Sequence, residues 1–192
     1  EINAAGHDVL RYVGGRISPE METPKLLWLK RNLGESFNAA RHFFDLADFL
    51  TWRASGSLAR SACTLTCKWT YLAHEQRWDA GYFHAIGLGM LADEGFARIG
   101  TEVVEPGTPL GSGLTPEAAV DLGLVAGTAV AASLIDAHAG GVGTLGGTID
   151  GPGNDVTSRL AYIFGTSACS MVSAPEPAFV PGVWGPYFSS MV

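Results

Sequence analysis

Charge is scarce in this 192-residue chain. Asp, Glu, Lys and Arg make up 16 % of it, 19 acidic against 12 basic residues, for a formal net charge of −7. No cluster of basic residues occurs, which argues against a nucleic-acid or anionic-membrane surface. The uncharged stretch between Asp121 and Asp136 is broken by Gly123, Gly127 and Thr128 and is too short for a membrane span. No charged-then-apolar leader with a cleavage site opens the chain at Glu1–Leu10, so nothing points to secretion and a cytoplasmic location is expected. Cysteine is limited to Cys63, Cys67 and Cys169, an odd set without a paired C-x-x-C. Reduced thiols are the expectation, and a zinc site is not expected. What is abundant is apolar character: 47 % hydrophobic residues describe a globular, core-rich sequence. The chain starts without Met and stops at Met191-Val192, just after the aromatic stretch Val183–Phe188, and is expected to be a fragment of a longer protein.

Glu1 to Arg16 reads as a polar connector or helix end closed by Gly14-Gly15. A helix is expected from Thr23-Pro24 through Leu26-Leu27-Trp28-Leu29, with Trp28 in the core and a stop at Gly34. A short helical piece over Phe37–Arg41 precedes a strand around Phe43, Phe44 and Leu46, and Ala47–Ala54 turns helical. Of Asp45 and Asp48, one is expected to cap that helix and the other to face solvent. Lys68 is the single cation in the Thr-, Cys- and aromatic-rich stretch Ser61–Leu72. It can snorkel to the surface, or it can point into a cleft to bind hydroxyls or an anion. Thr115-Pro116-Glu117-Ala118 is a helix start with Thr115 as N-cap, and the helix runs to Gly123.

The apolar run Ala129–Ile135 reads as a buried parallel-type strand, followed at once by Asp136 and a glycine-rich segment. An acid at the carboxyl end of such a strand sits where open α/β sheets place ligands. Asp136 can serve there as a general base or merely as the N-cap of the next helix, and the residues leave both open. Gly141-Val-Gly143-Thr-Leu-Gly146 spells the dinucleotide fingerprint, but its context fails. Asp136–Gly140 intervene between strand and first glycine, and no acid ends a second strand about 20 residues on. Gly140, Gly141 and Gly143 are instead expected to let a helix pack closely on the strand. Arg159–Phe164, Gly165-Thr166-Ser167 and Ala168–Val172 form strand, small-residue turn and strand. That shape fits an anion-binding turn and an ordinary hairpin equally.

Four stretches in order resemble one family, the FGGY carbohydrate kinases, and in particular its ribulokinase-like members. P-K-L-L-W-L-K-R-N at Pro24–Asn32 is similar to the family's P-K-x-x-W-L motif, and His42–Ser57 to its strand-and-helix segment. S-L-I-D-A-H-A-G-G-V-G at Ser133–Gly143 resembles the segment carrying the catalytic aspartate, and I-F-G-T-S at Ile163–Ser167 the phosphate turn opening the second domain. The resemblance implies an α/β, actin-like/ribonuclease-H-like fold with two domains around a cleft. Residues 1–157 would be part of the N-terminal, sugar-binding domain and 158–192 the start of the nucleotide-binding domain. It further implies transfer of the γ-phosphate of ATP, with Mg²⁺, to a sugar hydroxyl. Asp136 maps onto the base, Lys68, Asp136 and Ala137 onto sugar contacts, and Gly165, Thr166 and Ser167 onto the turn facing the ATP phosphates.

Two departures bear on substrate and activity. Ala62–Thr66 differs at three of five positions from the T-C-S-L-V signature of D-ribulokinase-like members, and Phe188 falls where L-ribulokinases carry a glutamate. A ketopentose or pentitol, D-ribulose foremost, is the expected substrate. The family's N-terminal D-x-G-T phosphate loop does not occur in these residues, so the chain alone is expected to be inactive. Partners are expected to be the sugar and ATP, with no nucleic acid or membrane, and self-association as a homodimer. A non-catalytic sugar-binding or scaffold module on the same fold is the alternative.

Overall fold

The computed structural model describes residues 1–147, 155–166, 168–188 and 190–191. Short helices dominate its first hundred residues. Two 3-10 turns, Ile2–Ala5 and Asp8–Tyr12, bury Ile2, Val9, Leu10 and Tyr12. The opening segment is thus part of the core and not a polar connector, because its few apolar residues fall on one side of each turn. Helix α1 (Glu22–Asn32) and helix α2 (Gly34–Ala39) follow. Successive residues of a helix point 100° apart, so the run Leu26 to Leu29 cannot all face inward. Leu26 and Leu27 are buried with Thr23, while Trp28 is 58 % exposed, contrary to its expected place in the core.

The strand expected around Phe43 does not form. Phe43 N–H donates to the Arg98 carbonyl at 2.8 Å, but no ladder continues. Its aromatics stack on helices instead, Phe43 on Phe37 and Phe44 on Trp52. Helix α3 (Leu46–Ser55) is capped by Asp45, whose carboxylate accepts from the Ala47 N–H at 3.2 Å. Asp48 does not face solvent: it is only 1 % exposed and accepts from the Ser61 N–H at 2.9 Å and from the Thr64 hydroxyl. Strand β1 (Arg60–Ser61) leads directly into helix α4 (Ala62–Trp69), which Ser61 caps. Helices α5 (Ala80–Ala85) and α6 (Gly89–Asp93) pack on each other. The core runs from Ile2 to Ile99 through the 3-10 turns, α1, α2, α4, α5 and α6, and Trp78 packs in it among Tyr71, Phe83 and Phe96.

Strand β2 (Val103–Val104) pairs parallel to β1, Arg60 opposite Val103. Helix α7 (Pro116–Leu122) begins as its sequence dictates: Thr115 Oγ1 accepts from the Ala118 N–H at 3.1 Å, and Gly123 ends it at φ 67°. The apolar run Ala129–Ile135 is extended but is not a buried parallel strand. It meets Thr108–Leu110 antiparallel through one bridge, Pro109 with Ala131, and through Leu110 N–H to the Val130 carbonyl and Ala132 N–H to the Thr108 carbonyl, each 2.8 Å. With that single partner among the described residues, the ladder does not propagate, and only Ala132 of the run is buried.

Helix α8 (Asp136–Leu145) follows, and strands β3 (Leu160–Phe164) and β4 (Ala168–Val172) form an antiparallel hairpin against it. A Cβ on Gly140 would lie 3.1 Å from Ile163 Cδ1, and one on Gly141 would lie 2.5 Å from Met191 Sδ and 3.1 Å from Met171 Cε. These two glycines permit the close approach. Gly143 does not take part, since a Cβ there meets nothing within 4 Å.

Candidate functional site

Asp136 is the first residue of α8 and is exposed, with Oδ1 accepting from the Ala137 N–H at 2.8 Å. One carboxylate oxygen is thereby oriented by a backbone donor at the positive end of a helix, and the second remains open to solvent. Ala137 is half-buried beside it, and His138 is buried one residue further on.

The hairpin turn reaches the same end of α8. Arg159 Nη1 donates to the carbonyls of Leu145 and Gly147 at 2.6 and 2.9 Å, at the far end of the helix. Ala161 then faces Gly141, and Ile163 faces Gly140. Each step along β3 toward Phe164 is therefore a step back along α8 toward Asp136. Gly165 and Thr166 follow Phe164 and are exposed, and a Cβ on Gly165 would meet nothing within 4 Å. Open space beside an accessible backbone suits an anionic oxygen. Ser167, the third expected residue of the turn, lies outside the described residues.

Lys68 is the next-to-last residue of α4 and is half-buried. Helix α4 meets α8 through its sulfurs: Cys63 Sγ is 3.4 Å from His138 Nδ1, and Cys67 Sγ is 3.8 Å from Nδ1 and 3.9 Å from Nε2. His138 Nδ1 is also 2.9 Å from the Ser190 carbonyl. Cys67 and the Cys63 thiol form a coupled pair. A hydrogen bond from Cys67 pulls Cys63 below the ordinary thiol range, helped by His138 and the Ile135 N–H against the cost of burial. Cys67, as the donor and also buried, is pushed well above that range. Burial acts to lower the His138 value, yet its contacts with Cys63 and the Ser190 carbonyl raise it overall, with the Lys68 ammonium opposing. Lys68 is close enough to act on His138, two residues from Asp136. The expected sugar contacts on α4 and α8 thus belong to helices in contact with each other, and β3 runs toward the Asp136 end of α8.

No family model matches the chain. It is 57 % identical over 197 residues to an FGGY carbohydrate kinase domain-containing protein of Homo sapiens, across 100 % of this chain and 36 % of that protein. The chain belongs to the FGGY carbohydrate kinase family. A D-ribulokinase of Saccharomyces cerevisiae is 38 % identical over 210 residues, covering 97 % of this chain and 29 % of that protein. The crystal structure of a gluconate kinase from Lactobacillus acidophilus superposes with a TM-score of 0.67 at 18 % identity, over 91 % of this chain and 32 % of that one. The fold is therefore the α/β, actin-like fold of sugar kinases, as the motifs implied. The chain spans about a third of the length of the curated relatives it matches. Among the described residues, no helix is long and apolar enough to cross a membrane.

Two arrangements in this family segment went unread in the sequence. The Cys63–Cys67–His138 cluster lacks a C-x-x-C, but C-x-x-x-C on a helix puts both sulfurs on one face, and His138 joins them only through the fold. The burial of both Asp48 and Arg60 is the second. Burial pushes the Asp48 carboxyl up to about 6, countered by the Thr64 hydroxyl and the Ser61 N–H and then by the Arg60 charge, and pushes the Arg60 guanidinium down to about 10, countered by Asp48. Arg60 also lies over the Phe44 ring, 3.7 Å from its centroid.

Proposed function

We propose that this chain supplies the sugar-facing base and the phosphate turn of an ATP-dependent carbohydrate kinase acting on a ketopentose, D-ribulose foremost. The observation that carries the reading is the antiparallel register of α8 and β3, which puts Asp136 and the Gly165-Thr166 turn at one end of the unit. Membership of a sugar-kinase family and the D-ribulokinase relative support the substrate class.

Asp136 takes the proton of the sugar hydroxyl as that oxygen attacks. Its oxygen held by the Ala137 N–H fixes the carboxylate, and the free oxygen accepts the proton. Lys68 and the Ala137 backbone hold neighbouring sugar oxygens. The backbone of Gly165, Thr166 and Ser167 faces the phosphates. ATP, carrying Mg²⁺ on its phosphates, would supply the phosphoryl group, and preorganised donors would stabilise its developing charge. The domain boundary near residue 157 then falls between base and phosphate turn. Most of the nucleotide site lies outside these residues, so the 192-residue chain alone does not turn over sugar.

The test uses a chain of the relatives' full length carrying this segment. Asp136→Asn should lower kcat for D-ribulose at least about 100-fold, the usual scale of a general base, with sugar binding retained. Lys68→Ala should raise KM and alter the preference among pentuloses. An unchanged kcat in Asp136→Asn would overturn the base assignment, and turnover by the 192-residue chain in a coupled assay would overturn its inactivity.

A further inference from the structure

Helix α4 carries Cys63 and Cys67 one turn apart, and His138 enters from the first turn of α8. The two sulfurs and one imidazole nitrogen lie within 4.8 Å of one another, with both cysteines buried and His138 only about 9 % exposed. A zinc ion bound at about 2.3 Å from sulfur and about 2.0 Å from nitrogen in a tetrahedron sets ligand-to-ligand edges of about 3.6 Å. The observed edges from His138 Nδ1 are 3.4 Å to Cys63 and 3.8 Å to Cys67. A fourth ligand is at hand, an oxygen: the Ser190 carbonyl lies 2.9 Å from the same nitrogen. The kinase reading assigns no step to the two thiols or to the histidine.

We propose that Cys63, Cys67 and His138, completed by the Ser190 carbonyl, form a tetrahedral zinc site that pins α4 to α8. Soft sulfur and imidazole donors in a closed tetrahedron select zinc over magnesium or calcium. Charge balance favours the site as well, because two thiolates neutralise the dication and make the buried complex formally neutral. Binding releases the two thiol protons to solvent. The imidazole proton moves from Nδ1 to Nε2, freeing Nδ1 to ligate. The Ser190 carbonyl exchanges its contact with Nδ1 for one with the ion. Such an ion fixes the helix carrying Lys68 relative to the helix carrying Asp136. That consequence rests on the kinase reading, whereas the metal site does not.

The test needs no activity. The 192-residue chain, purified from zinc-supplemented cells and dialysed, should hold about one zinc per chain by elemental analysis. The Cys63→Ser/Cys67→Ser double variant and His138→Asn should fall below about 0.1 equivalent, while Cys169→Ser keeps the full amount. Should the ligand variants fail to fold, cobalt decides the matter in the unmutated chain. Co²⁺ added after chelation should give thiolate charge-transfer absorption and the intense visible bands of a tetrahedral ion. Less than about 0.1 equivalent of zinc together with no such bands overturns the proposal. So does metal retained by folded ligand variants, or metal lost with Cys169→Ser.

Discussion

From Ile2 to Ile99 one cluster of buried side chains links the two 3-10 turns with α1, α2, α4, α5 and α6. From Val120 to Val172 many large apolar residues face outward: Val120, Leu122 and Leu124 around α7, and Leu160, Tyr162, Phe164 and Val172 on the hairpin. The second cluster holds only Ala59, Leu110 and Ala132 as buried members. The difference separates stability from chemistry. Hydrophobic burial, the main favourable term in folding, is concentrated in the first region. Asp136 and the Gly165-Thr166 turn sit in the second, where few buried contacts oppose local opening.

The largest expected effect breaks the first region. Trp78 donates from Nε1 to the Gly100 carbonyl at 2.9 Å and packs among Tyr71, Phe83 and Phe96. Trp78→Ala should cost about 3–5 kcal/mol in urea unfolding, through the lost transfer energy and the cavity left behind. Phe164, 75 % exposed on the hairpin, is the control: Phe164→Ser should shift stability by no more than about 0.5 kcal/mol. Equal costs at the two sites would erase the contrast between the regions.

A smaller effect sharpens it through pH. The Asp48 carboxyl, raised to about 6 by burial, holds its proton in the folded chain at pH values where the unfolded chain has lost it. The folded state therefore binds more protons between about pH 4 and pH 6, and stability falls as pH rises through that window. The ceiling on this loss is about 3 kcal/mol, from the size of the shift. Asp48→Asn should lose less stability than the unmutated chain between pH 4 and pH 7. Unfolding midpoints that run parallel across the window would show that the carboxyl is not held neutral.

What could be read beforehand follows the same division. Local signals were legible: the cap at Thr115, the stop at Gly123 and the hairpin around Gly165 are each decided by neighbours in sequence. Asp48 was misread because its partners, Ser61 and Thr64, lie 13 and 16 residues away. Ala129–Ile135 was misread as a buried strand because a periodless apolar run shows a need for burial and not the partner that meets it. Trp28 was misplaced because four consecutive apolar residues on a helix exceed one buried face. Asp136 and the Gly165-Thr166 turn are candidates by motif alone, whereas the antiparallel run of α8 and β3 depends on the packing of Gly140 and Gly141.

Those glycines give the smallest and most local test. Gly141 and Gly143 lie in the same helix and share its propensity cost, so substituting Ala gains about 0.5–1 kcal/mol at either from helix formation alone. At Gly143 nothing opposes that gain, since the added Cβ enters open space. At Gly141 the Cβ meets Met191 Sδ at 2.5 Å and Met171 Cε at 3.1 Å, and the ends of both side chains must move. Both atoms are ends of flexible side chains whose displacement is cheap, so the clash reduces the propensity gain without reversing it. Gly143→Ala should therefore raise the thermal midpoint more than Gly141→Ala does. A Gly141→Ala midpoint below that of the unmutated chain would show that the two methionines are held in place and that the contact between α8 and the hairpin is tight.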